Sequence, residues 1–479
     1  MFKQIFKRQL TEDILSYRFL VNLILILFTV IGFSLIFANY FRDLQERYAK
    51  TVVENDKRLA DFAREPISNV TNAVLEFPME PRAELFISEG SEDRLPPGFF
   101  FIMDRDIVKI LSRNQETGGI LMYEPVSKMT QFSSNLSYSP DLMFIVEFLL
   151  SFFAIVLSFN AATEEKEKGT LRLVLSNPAK RASFLLSKYL STLMTIGLPL
   201  LLGLILSILL LLEFGIMPIS SSVITEFLLF FLVSLVFVSA FVLLGMLCSV
   251  FSQSSKNSLV LSLIVWVFLV VVFPKAFGLI LNMKRFDIPT EEQINKRIDS
   301  RRAKISKKYK DQMPADYSSN SYKYDRDPLI LTITAEMNKA RQDINDDILR
   351  KKISTIQTLR AVNFISPASL YGYSVSSIVG TGLSHFQHLW TQVKQYGSDF
   401  ISQIKGEKAT REHSSPFYFD YLALGEKKLE FNALLKFKEK ETRFGDRLND
   451  SLPYLGLLAL YNLFLFAFVF YKFQNYDVR

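Results

Sequence analysis

Residues 223–250 read VITEFLLFFLVSLVFVSAFVLLGMLCSV, and beyond Glu226 no charged residue follows until Lys256. A bilayer core about 30 Å thick is crossed by roughly 20 apolar residues in a helix. This run is long enough to cross with residues to spare, and its apolar residues occupy every face. Such a segment is expected to span a membrane.

Working outward, five more runs meet the same test: 19–39, 141–160, 185–212, 258–281 and 453–471. They account for much of a chain of 479 residues that is 49% hydrophobic and holds 44 Phe. The first run is too long, and lacks the small-residue site, for a cleaved leader. The expected fold is therefore an α-helical polytopic membrane protein with six transmembrane helices.

Orientation follows from the short loops, because long loops cross largely regardless of charge. Lys3, Lys7, Arg8 and Arg18 precede the first span, and Lys166, Lys168, Arg172, Lys180 and Arg181 follow the second. The connection FGIMPISSS, 214–222, holds no Lys or Arg. Both termini are thus expected in the cytoplasm. The organisation is a tail and first helix (1–39), an extracytoplasmic domain (40–140), helices two to five (141–281), a second extracytoplasmic domain (282–452), and a last helix with a cytoplasmic end (453–479).

The first insertion is expected to be mixed α/β. A helical pattern continues outward from the span, and strand-like runs such as GFFFIM and GGILMYEP follow between Pro and Gly turns. At its end, SYSPDLM offers Ser139 as a cap, Pro140 as a first helical residue and Asp141 to complement the helix dipole. The second insertion reads as mainly helical, with patterns from a Thr290 cap, over 327–359 and over 383–404. The insertions carry net charges of −4 and +7. These signs suit two surfaces that face each other or two that are independently solvated. The cluster Arg301, Arg302, Lys304, Lys307, Lys308 and Lys310 reads as a solvated helix face, or as a grip for anionic head groups or an anionic substrate.

Chemistry is sparse. The chain has no Gly-Lys dipeptide, so it cannot hold the G-x-x-x-x-G-K-[ST] nucleotide loop. Cys248 stands alone, which excludes an intrachain disulfide. His385 and His388 lie one turn apart and could face one metal ion, although a structural role is the expectation. Glu147 lies about two turns into the second span, where an acid marks a pathway or inter-subunit position or rests near the head groups. Nucleic acid is not an expected partner, because the basic residues are divided by the spans.

The loop after the second span, EEKEKGTLRLVLSNPAKR (164–181), is too ordered for plain solvation. Residues 161–168 can extend the second span by two turns. Gly169 then offers a left-handed corner, Thr170 can cap a short helix, and Pro178 ends it. Leu171, Val174 and Leu175 share one face of that helix. The elbow, 161–184, could carry force from a soluble partner, or rest on the lipid surface.

These residues resemble the signature of ABC-2 type permeases, E-x-E-x-G-T-L followed by L-x-x-P, Arg and a later Lys. The matching positions are Glu165, Glu167, Gly169, Thr170, Leu171, Leu175, Pro178, Arg181 and Lys188. SPASLYGYSVSSIVGTG (366–382) and the terminal YDVR are similar to the branch with large extracytoplasmic loops. Asn160 departs from the pattern, since relatives tend to carry Asp there. The resemblance implies the membrane subunit of an ABC transporter, most often an exporter, in a bacterial inner membrane. It implies no catalysis or cofactor in this chain. ATP and Mg would belong to a separate ATPase docked on the elbow, with a second permease copy or paralogue, membrane lipid and a periplasmic partner as further company. A membrane-anchored sensor or scaffold is the alternative.

Overall fold

The computed structural model describes residues 2–64, 74–90, 98–102, 107–110, 141–169, 181–217, 220–274, 291–312, 328–406 and 434–474. Six helices are long and apolar enough to cross a membrane: Tyr17–Asp61, Leu142–Glu167, Ala182–Glu213, Ser221–Phe251, Ser255–Val272 and Phe444–Gln474. The chain is a polytopic helical membrane protein.

A short helix α1 (Phe2–Ile14) precedes α2 (Tyr17–Arg64). With 48 residues, α2 is about 72 Å long at 1.5 Å per residue, so more than half of it lies beyond any bilayer core. Strands β1 (Val74–Pro78), β2 (Gly98–Ile102) and β3 (Ile107–Ile110) form an antiparallel sheet in that order. The second span is α3 (142–158), followed by the short α4 (Thr163–Glu167). Spans three and four are α5 (Arg181–Glu213) and α6 (Ser221–Phe251), and the fifth is α7 (255–274). Then come α8 (Glu291–Tyr309), α9 (Pro328–Asn363), α10 (Pro367–Val379), α11 (Leu383–Gly406) and the last span α12 (Phe444–Gln474). GGILMYEP and the terminal YDVR lie outside the described residues.

Two cores organise the molecule. The span core gathers Val30, Phe37, Ile155, Leu204, Phe237, Phe241 and Leu458 around α6, which is buried on most of its faces. The second core lies where α2 runs past the spans. Leu75, Phe77, Phe99 and Phe101 alternate along β1 and β2, so all four reach one sheet face. They meet Leu59 of α2, Ile353 of α9, and Phe386, Tyr396 and Phe400 of α11. Aromatic edges and faces close this core, with Phe99 and Phe386 centroids 5.1 Å apart.

Two details depart from the sequence reading. The cap of α3 is Asp141 itself, whose carboxylate accepts from the Phe144 N–H at 2.7 Å and from the Glu89 N–H at 3.0 Å. Its two oxygens take one donor each, and that ties the sheet region to the span; Ser139 lies outside the described residues. The second is α10, a helix of 13 residues, about 20 Å long and too short to span. It is buried along almost its whole length between α6, α12 and α7. Ser366 caps it, accepting from Ser369 N–H and donating to the Leu269 carbonyl at 2.8 Å. Tyr371, fully buried, pairs its hydroxyl with Ser234 of α6 at 2.9 Å.

The candidate coupling site

The elbow begins where α3 stops. The sequence predicts helix through residue 168, but the chain turns over 159–162 before α4 resumes it. The cause is competition for the backbone. Ser249, near the end of α6, accepts the N–H groups of Ala162 and Thr163 at 2.9 and 3.0 Å. Ser258 donates to the Phe159 carbonyl at 2.6 Å, and Lys188 donates to the Ala161 carbonyl at 2.9 Å. Neighbouring spans thus take up groups that an unbroken helix would pair internally.

One side of α4 is pinned to the bundle. Lys166 reaches the carbonyls of Val250 and Ser252, both at 3.0 Å, and of Ser249 at 3.5 Å. These belong to the last turn of α6 and its exit, where carbonyls lack helical partners and the helix dipole favours a cation. Glu165 faces Lys188 of α5 at 3.6 Å, with both side chains largely buried. Lys188 also lies 4.9 Å above the Phe184 ring. Glu167 accepts from the Ser255 N–H at 2.7 Å and its hydroxyl at 2.8 Å, taking up a free donor at the start of α7 beside the Ser254 cap. Four helices therefore meet on five residues.

The other side is open. Glu164 pairs with Lys168 at 2.6 Å and accepts from the Asn160 amide at 2.8 Å. The bond to Glu164 holds the Lys168 ammonium above its ordinary pKa. Asn160 thus keeps a polar link to the elbow where relatives are expected to place Asp. Gly169 takes φ +66°, the left-handed corner expected of it, and a Cβ there would meet nothing within 4 Å. Its glycine is required by backbone conformation, not by space. Helix α1 lies beside this face. Asp13 accepts from the Ser191 hydroxyl of α5, and Arg8 and Glu12 lie within electrostatic reach of Glu165 and Lys168.

Of the predicted elbow residues, Glu165, Glu167 and Gly169 are brought together. Thr170, Leu171, Leu175 and Pro178 lie outside the described residues, and Arg181 opens α5 with its side chain undescribed. Lys166 and Ser249 were missed. Their partners lie more than 80 residues away in sequence, and only the run SVFSQSSKNS (249–258), unusually rich in hydroxyls for a span boundary, could have signalled them.

Glu147 lies far from the elbow, half-buried within a π-helical stretch of α3 (Ile145–Leu150). A second such stretch, Val267–Val272, interrupts α7. Wider turns of this kind leave carbonyls for side chains and recur at functional positions. Here Ser151 donates to the Glu147 carbonyl, and Trp266 donates to the Ser151 hydroxyl at 2.8 Å, joining the two stretches. His385 and His388 do not converge. His385 is buried against Arg82 and Glu439, whereas half-buried His388 meets the Lys440 carbonyl at 3.1 Å. No group of three candidate metal ligands occurs among the described residues.

Six spans, a buried partial helix and a pinned elbow with an open charged face define a multi-pass membrane protein. The family model described as ABC-2 family transporter protein matches residues 4–478, and the chain belongs to that family. A search of curated proteins finds no match. Membership makes the chain a transmembrane component of ABC transport, in a family whose permeases generally partner with ABC ATPases.

Proposed function

We propose that this chain is the permease subunit of an ATP-driven exporter, and that α4 with its Gly169 corner is the surface that receives the ATPase stroke. The observation that carries this reading is the two-sidedness of the elbow. Half-buried Lys166 and Glu165 anchor it to α6 and α5, and Glu167 reaches α7 from the rim, while Lys168 and Gly169 are exposed and Glu164 is half-buried beneath Lys168. A push on the exposed face passes directly to the ends of three further spans through short polar contacts.

On this reading the elbow end is cytoplasmic, in a bacterial inner membrane, and the segments 40–140 and 282–452 lie outside. The chain itself is non-catalytic; ATP and Mg bind the ATPase, consistent with a sequence that has no nucleotide loop. Two copies, or this chain and a paralogue, line the pathway, and the outer segments engage cargo or a periplasmic partner. The test is purification of the tagged chain together with an ATPase carrying a nucleotide loop. ATP-dependent export by the reconstituted complex, lost when Gly169 is replaced by Val, is the expected result. A chain that binds no ATPase, or a Gly169→Val complex that exports normally, would overturn the assignment.

A further inference from the structure

The two cores meet at a buried cluster of charge that the elbow mechanism does not use. Arg447, in the first turn of α12, donates to Glu226, in the first turns of α6, at 2.7 Å. Glu226 is 1% and Arg447 8% exposed, so the pair lies out of water. Arg447 passes the turn between α10 and α11. A Cβ on Gly380 would lie 2.9 Å from its Cδ and 3.5 Å from a guanidinium nitrogen of Arg82. Gly380 has φ +72°, which alone disfavours other residues.

Arg82, just before the 3-10 turn Ala83–Phe86, donates to the Gly380 carbonyl at 2.9 Å and lies 3.2 Å from His385 Nε2. His385 is 3.3 Å from Glu439, which accepts from the Glu80 N–H at 3.2 Å. A continuous path thus links spans four and six to the sheet-side domain, meaning the second core with the turn at Arg82, helix α11 and the segment at Glu439.

The pairing is incomplete. Glu226 Oε2 and Arg447 Nε are buried without a hydrogen-bond partner among the described residues, as is the Thr381 hydroxyl beside them. An Arg and a carboxylate that form a permanent brace commonly use both oxygens in a two-pronged contact. Buried polar atoms left over are uncommon and call for a reason. A contact with one prong engaged is easier to release, and the unused atoms are available to a second arrangement.

We propose that Glu226, Arg447 and Arg82 form a latch that joins the sheet-side domain to the ends of α6 and α12 and releases during each transport cycle. The proposal rests on the permease reading for the word cycle, but not for the joining. Glu226 and Arg447 are positioning residues: they set where the span ends stand and bind no cargo themselves. Movement of Arg82 with the sheet-side domain shifts the Gly380 turn, and the turn presses on the Arg447 stem.

The test uses the full chain in nanodiscs, alone and with its ATPase, as wild type, Glu226→Gln and Gly380→Ala. In the chain alone, amide exchange at 380–386 and 444–450 should rise about tenfold in both variants, with the elbow at 162–169 unchanged. In the complex, ATP turnover without cargo should rise about threefold, because releasing the latch is part of the barrier. A static brace gives the opposite sign, turnover falling together with thermal stability, and that result would overturn the latch. Unchanged exchange at both segments would overturn the joining. If Glu226→Gln does not fold, Gly380→Ala decides alone. An ATPase that never binds the wild-type chain defeats the permease reading and with it the cycling, while the exchange data still judge the joining.

Discussion

The spans end differently at the elbow and at the sheet-side junction. At the elbow, hydroxyls, backbone groups, Lys166, Lys188 and Glu167 stitch α3, α4, α5, α6 and α7 together, mostly through backbone partners, and one face stays in water. At the junction, a guanidinium and a carboxylate meet in the dry, and the arginine stem lies against a glycine that cannot be larger. Backbone hydrogen bonds fix position with little dependence on charge. Buried ion pairs are costly to desolvate and strongly destabilising when half removed. The elbow is therefore a geometric device and the junction an electrostatic one, and the two should fail in different ways.

The largest expected effect breaks the geometric end. Gly169→Val places a β-branched side chain at φ +66°, a conformation such residues avoid, although the space around it is empty. Export should fall by at least about tenfold while the chain still inserts, and Gly169→Asn should keep most of it because Asn tolerates the left-handed region. Vesicle export assays on equal amounts of inserted protein decide this. Equal losses in both variants would mean that the corner's conformation is not what matters.

Next in size is Ser249→Ala. It leaves the Ala162 and Thr163 N–H groups without their buried acceptor, so a loss of about 2 kcal/mol is expected. Lys166→Met should cost less, about 1 kcal/mol, because water can reach part of the site and solvate the freed carbonyls. Thermal unfolding of the two variants in one detergent compares them. A larger loss for Lys166→Met would show that charge, not backbone geometry, holds the elbow.

The contrast also explains what could be read from the residues. Six spans were legible because hydrocarbon demands long apolar runs, and the Gly169 corner because few residues accept φ > 0. Helix α10 was not. SPASLYGYSVSSIV has neither the length of a span nor a clear polar face, and the partners that satisfy Tyr371 and Ser366, Ser234 and the Leu269 carbonyl, lie 137 and 97 positions away. The same holds for the pins. Ser249 and Lys166 look like ordinary boundary residues until a partner more than 80 positions away is in place. The exposed acids of the elbow announced themselves by charge, whereas its fixings are written in tertiary contacts. Arg447 and Glu226 were hidden for a further reason, since each sits near a span end where snorkelling is ordinary.

The smallest effect separates the two ends by pH. Burial, with Arg82, His388 and Arg447 nearby, pushes His385 down to about 3, so it stays neutral in the fold while an unfolded histidine charges below 6.5. Between those values the unfolded chain binds the extra proton, and stability falls as pH falls. Glu439 acts in the other direction. Burial raises it against the pull of the Glu80 N–H and of Arg82, so the fold takes up its proton earlier than an unfolded glutamate does. The His385 contribution makes melting temperature fall as pH drops below about 6.5, so removing it in His385→Gln should shift the pH slope of melting temperature in the direction of less loss on acidification than in wild type. One proton of difference is worth at most about 1.4 kcal/mol per pH unit, so the change in slope is modest but measurable. Elbow variants such as Ser249→Ala should keep the wild-type slope at a lower melting temperature, since the groups they disturb do not titrate in that range. If Ser249→Ala flattened the slope as His385→Gln does, the two ends would share one electrostatic network, and the division between a geometric and an electrostatic end would have to be given up.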